Sequence, residues 1–166
     1  MSNDRRKSDR RKHPRFPIVE GMIEPITLRY TEPKKPGAKG LKSSASGKNQ
    51  PAILTNLSAG GMSMITFVEP PHTKTLSMEL TLPGLNHILI EAKIVRMHSK
   101  GETFNVGFQF TRIAKKVQKM ISDMAADHMD CDTRISLNLP EVCVPNCQYH
   151  FICQKTHKAP HWPPKV

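Results

Sequence analysis

Aromatic residues are scarce: six Phe, two Tyr and one Trp in 166 residues. Proteins that grip single-stranded nucleic acid stack its bases on aromatic faces set among basic residues, and this chain lacks that interleaving. Long apolar runs are missing too. Nothing approaches the ~18–20 residues that a membrane-crossing helix needs, and the N-terminus is charged throughout where a secretory leader would be apolar. The expected compartment is therefore the cytoplasm. Cysteine is absent before residue 131, so no disulfide framework spans the chain. Finally, no carboxylate pair or nucleophile–base pair has the spacing of a known reaction class, and no enzymatic activity is expected.

Positive charge is plentiful and unevenly placed. The net charge is +11. Residues 1–15 carry Arg5, Arg6, Lys7, Arg10, Arg11, Lys12 and Arg15 against Asp4 and Asp9. Residues 29–50 carry Arg29, Lys34, Lys35, Lys39, Lys42 and Lys48 against Glu32. The rest is nearly neutral, so the field sits on two segments that have no apolar period of their own. An anionic partner meeting the arm accounts for this placement; charge kept for solubility is the plainer alternative. Residues 1–15 are expected to form a flexible basic arm, residues 16–129 the folded body with a Pro-, Gly-, Ser- and Lys-rich insert at about 31–51, and residues 130–166 a Cys- and Pro-rich tail.

Within the body the apolar residues alternate. Leu76, Met78, Leu80 and Leu82 are interleaved with Ser77, Glu79 and Thr81, while Phe104, Val106, Phe108 and Phe110 lie opposite Asn105, Gly107 and Gln109. Such period-two patterning marks half-buried antiparallel strands. Strands are expected at about 16–30 (bent near Pro25), 52–57, 61–68, 75–82, 87–97 and 103–111, with Lys100-Gly101 turning the last pair. Ile113, Val117, Met120, Ile121 and Met124 then follow helical spacing. Together these predict a mainly β fold, a six-stranded antiparallel barrel closed by a C-terminal helix over about 112–129.

Two local patterns carry chemistry. Arg11 to Arg15 is an Arg-x-x-x-Arg spacing stiffened by Pro14. A guanidinium fork donates two parallel hydrogen bonds to phosphate, and the same fork matches O6 and N7 of guanine. Asn56-Leu57-Ser58-Ala59-Gly60-Gly61 lies between two strands. Asn56 and Ser58, two apart, are expected to share a face and offer an amide and a hydroxyl. Gly60 and Gly61 are expected to permit positive φ and a close approach to a ligand. Either pattern alone fits an ordinary basic arm or an ordinary polar turn.

In this order and setting the chain resembles the PilZ family of bacterial cyclic-di-GMP receptors, from about Arg10 to Met129, including the strand Asn105-Val106-Gly107-Phe108-Gln109-Phe110 and the helix after it. The resemblance implies that the dinucleotide is held by Arg11 and Arg15 and by Asn56, Ser58 and Gly61, with Asn standing where Asp is commoner. It also implies that Arg10 contacts a second, stacked dinucleotide, a solvated arm charge being the alternative. An arm that orders only on binding would then signal to a protein partner governing motility, surface polysaccharide or virulence. Two competitors remain at this level: a small nucleic-acid-binding barrel, and a PilZ-type adaptor that needs no ligand.

The tail adds one further expectation. Cys143, Cys147, Cys153 and His157 could complete a tetrahedral zinc site and so order a segment without apolar period. An iron–sulfur cluster or simple thiols, with Cys131 and His150 nearby, fit the same residues.

Overall fold

Strand alternation is realised as a sheet that closes on itself. A computed structural model describes residues 12–17, 26–31, 49–71 and 75–159. The strands are β1 (Phe16–Pro17), β2 (Ile26–Thr31), β3 (Asn49–Ser58), β4 (Gly61–Thr66), β5 (Leu76–Leu82), β6 (Leu85–Lys100) and β7 (Thr103–Ile113). They are followed by the helix α1 (Lys115–Ser136) and a 3₁₀ turn, Gln148–Ile152. All pairings are antiparallel, and the ring runs β3-β2-β5-β6-β7-β4 and back to β3. The two-residue β1 lies along the outer end of β3, with Phe16 opposite Leu57 and Pro17 opposite Asn56.

Five of the expected strands appear at the expected places, and Gly101 turns β6 into β7 at φ +59°. The expected single strand over 16–30 is instead two, β1 and β2; the residues between them, and residues 32–48 of the insert, lie outside the described residues. The helix runs on to Ser136, beyond the expected end at Met129. Its inner face, Ile121, Met124 and Ala125, covers a core built from Leu57, Met64, Met78, Leu80, Ile90 and Phe108.

Two irregularities decide which residues face outward. In an unbroken strand Leu54 and Asn56 would share one face. The β3–β4 register slips between Leu54 and Asn56, leaving Thr55 as the extra residue. A bulge of this kind reverses the alternation beyond it. Leu57 is thereby buried and Asn56 turned outward, while the Thr55 hydroxyl meets the Ser63 hydroxyl at 2.8 Å. The β6–β7 register slips likewise between Ile94 and Arg96. Ile94 and Met97 both pack on the core, and Val95 and Arg96 both face out.

Beyond α1 the chain folds back beneath the arm root. Tyr149 is 1% exposed. Its ring stands edge-on to Phe16 at 5.5 Å and to His128 at 4.8 Å, and its hydroxyl donates to the Pro17 carbonyl at 3.2 Å. The backbone N–H of Gln148 donates to Asp127 Oδ2 at 2.6 Å and starts the 3₁₀ turn on the helix.

His128 is buried between Phe16 and Tyr149, with Lys155 and Asp132 beside it. Burial lowers its pKa below 6.5, Lys155 lowers it further, and Asp132 opposes both. The unfolded chain thus takes up this proton first as pH falls. Stability from the neutral ring is complete above about pH 6.5 and declines below it. Urea unfolding at pH 7.5 and 5.5 should show a smaller loss on acidification in His128→Gln than in the parent chain; equal losses would rule His128 out as the source.

Candidate ligand-binding site

One row of register partners crosses four strands on the outside of the barrel. Asn56 on β3 pairs with Ser63 on β4, Ser63 with Gly107 on β7, and Gly107 with Arg96 on β6. Neighbouring strands are about 4.8 Å apart, so Asn56 and Arg96 end a shelf about 14 Å long. Between them stand a hydroxymethyl group and a glycine, which keep the middle low. Both ends owe their outward aim to the two bulges.

Arg15 joins the shelf from the arm. It lines one cavity with Asn56, Gly61, Ser63, Val95, Arg96 and Gly107, and is exposed while the next residue, Phe16, is wholly buried. No carboxylate lines this cavity among the described residues, and Arg15 and Arg96 are both exposed beside it. Its volume is about 160 Å³. Small-ligand sites are commonly ~300–1,000 Å³; this groove seats only part of such a ligand unless more chain closes over it. A larger cavity of about 510 Å³ opens over β5, β6 and β7. Glu79 and Glu91 line it, and Arg112 is drawn to Glu91 at 3.5 Å, which suits an anion poorly.

The residues expected from sequence divide into three groups. Arg15, Asn56 and Gly61 meet at the cavity. Arg10 and Arg11 lie outside the described residues. Ser58 and Gly60 do not line the cavity among the described residues. Ser58 is 5% exposed and donates its hydroxyl to the Gly61 carbonyl at 2.9 Å, closing the β3–β4 turn; no register slip separates it from Asn56, so the two lie on one side of β3. The glycines also act differently from expectation, since neither has a positive φ. Gly60 leaves room for the His13 ring, because a Cβ there would lie 2.8 Å from His13 Cδ2. Gly61 lets β4 approach β7, because its Cβ would lie 2.2 Å from the Phe108 carbonyl oxygen. Sequence reading missed Arg96, Val95, Ser63 and Gly107. The signal available was Ile94-Val95-Arg96-Met97, where two core residues three apart in a strand require a bulge.

The expected zinc site is also corrected. Cys131, Cys143, Cys147, Cys153, His150 and His157 border one narrow crevice between α1 and the tail. Among the described residues, however, no three His, Cys, Asp or Glu side chains are grouped so as to hold a metal ion. Burial pushes the Cys147 thiol up to about 11 and raises Cys131, so both favour the neutral S–H form. Tyr149, Ile152 and Val142 order the tail by apolar burial instead.

The two turn glycines should separate on substitution. Gly61→Ala forces the β7 backbone away and is expected to cost about 1–3 kcal/mol in chemical denaturation. Gly60→Ala displaces the end of a side chain that can swing aside and should change stability by less than about 0.5 kcal/mol.

No curated protein sequence matches the chain. Among solved structures it is similar to the Bacillus subtilis inhibitor of motility MotI/DgrA, at 17% identity and TM-score 0.47, covering 79% of this chain and 53% of that one. It is also similar to the PilZ domain of Escherichia coli YcgR with c-di-GMP, at 15% identity and TM-score 0.47, covering 78% and 98%. Longer YcgR in complex with c-di-GMP gives 16% and TM-score 0.48, covering 78% and 50%. This chain thus spans about half the length of MotI/DgrA and of the longer YcgR. No helix among the described residues is long and apolar enough to cross a membrane. A sequence model of the PilZ domain matches residues 9–127, most of the folded body together with the arm root, and the chain belongs to the PilZ domain family.

Proposed function

We propose that the chain is a non-catalytic receptor for cyclic-di-GMP, held on the shelf between Asn56 and Arg96 and covered by the arm. The observation that carries this reading is the convergence of Arg15, Asn56 and Gly61, from two separate sequence patterns, on one cavity without carboxylates. The ligand is an elongated dianion with a guanine at each end, and a shelf about 14 Å long with a low middle matches that outline. Arg15 offers its fork to a phosphate or a guanine edge. The Asn56 amide serves one base edge. Arg96 meets O6 and N7 of the other guanine, whose flat face lies over exposed Val95 and the bare Gly107.

The groove is too small to enclose the whole ligand. The remaining cover falls to the arm ahead of Lys12, where Arg10 and Arg11 bring further cations. Closure of the arm over bound ligand is the proposed signal, read by a protein partner in motility, surface polysaccharide or virulence control.

Isothermal titration tests the reading. Cyclic-di-GMP should bind at micromolar levels or tighter and outcompete GTP and oligonucleotides. Hydrogen bonds to charged groups contribute roughly 1.5–3 kcal/mol, so Arg15→Ala and Arg96→Ala should each weaken binding about 10- to 100-fold. Gly107→Ala is the sharper case. Its Cβ would meet Arg96 Cβ at 3.5 Å, an ordinary contact, so the barrel should be as stable as before or slightly more so. The raised floor should nevertheless reduce affinity. No heat with cyclic-di-GMP, or a steep salt dependence with acceptance of any oligonucleotide, would overturn the assignment.

A further inference from the structure

The family match ends at residue 127, yet what buries the arm root comes partly from residues beyond it. Phe16 adjoins the ligand-facing Arg15 and is wholly buried. Leu57 lies opposite it in register, His128 stacks on it at 6.3 Å, and Tyr149 stands edge-on to it at 5.5 Å. Tyr149 further ties the root by its hydrogen bond to the Pro17 carbonyl. The tail is itself fastened to α1. Asp127 accepts from the Gln148 backbone, and the Lys155 ammonium pairs with Asp132, reaches the His128 carbonyl at 3.4 Å and stands 5.9 Å from the Tyr149 ring centre.

We propose that residues 141–158 form a clamp that docks the arm root and thereby sets ligand affinity from outside the ligand cavity, with Tyr149 as the positioning residue. The affinity part rests on the cyclic-di-GMP reading; the docking part does not. Arg15 faces the cavity only while Phe16 is seated, because one peptide bond joins them. A site competent for only a fraction of the time has its apparent Kd raised by the inverse of that fraction. Removing Tyr149 takes away one wall of the Phe16 seat and the bond to Pro17 together. Tyr149 touches no residue of the shelf among the contacts described, so its influence on binding runs through the root.

The test uses the full chain with Tyr149→Phe, Tyr149→Ala and Asp127→Asn, each measured twice. First, without ligand, limited trypsin digestion is followed by mass spectrometry at the bond after Arg15, with bonds after Lys93 and Arg112 in the barrel as comparators. Cleavage after Arg15 should rise about two- to tenfold in Tyr149→Phe, which loses only the hydroxyl bond. It should rise at least tenfold in Tyr149→Ala, while the barrel bonds are cut as slowly as before. Secondly, calorimetry with cyclic-di-GMP should show Tyr149→Ala binding at least about threefold more weakly, a smaller loss than for Arg15→Ala.

A general loss of stability would expose the barrel bonds equally, and that outcome overturns the clamp. So does unaltered cleavage after Arg15, or a freed root with unaltered Kd. Should Tyr149→Ala not fold, Tyr149→Phe and Asp127→Asn decide by the same protease comparison. If the parent chain takes up no cyclic-di-GMP, the receptor reading and the affinity part fall, whereas the protease result still decides the docking part.

Discussion

Burial of the Phe16 ring is the contact on which the arrangement of this molecule turns. The ring enters the barrel side beside Leu57 and is closed in by His128 and Tyr149. It stops a highly charged arm at a defined point and leaves Arg15 at the edge of the shelf. A fully buried Phe is worth roughly 1.5–3 kcal/mol of transfer free energy. That exceeds the cost of fixing one backbone residue, about 1–2 kcal/mol. The seat therefore accounts for the position of the root.

The second constraint is the pair of bulges. A regular six-stranded ring with this sequence would turn Asn56 toward the core or expose Leu57, and would do the same to Arg96 or Met97. The slips at Thr55 and Val95 satisfy core and surface at once. A shelf of polar residues at its two ends is the by-product of correct core packing.

These facts explain what was legible beforehand. The alternation of Leu76 to Leu82, and of Val106 with Phe108, is a property of one strand, so it shows in sequence. The helical spacing from Ile113 to Met124 shows for the same reason. Arg96 showed only indirectly, through Ile94 and Met97 three apart in one strand; its place opposite Gly107 is a relation between two strands, which sequence does not display. The acceptor of the Ser58 hydroxyl was not legible either, because the Gly61 carbonyl lies across the turn from it. The tail was read through its cysteines, the chemically conspicuous residues, whereas Tyr149 and Ile152 hold it; two apolar residues in a short 3₁₀ turn generate no recognisable period.

The two ends of the folded chain meet at Phe16 and Tyr149, and linkage between binding equilibria runs both ways. If a docked tail favours a seated root, then occupancy of the shelf must favour a docked tail by the same factor. The rim of that tail carries Phe151, 56% exposed. A protein gripping that rim would sense occupancy of the shelf without touching the arm, and its own hold would in turn retune the concentration at which the shelf fills.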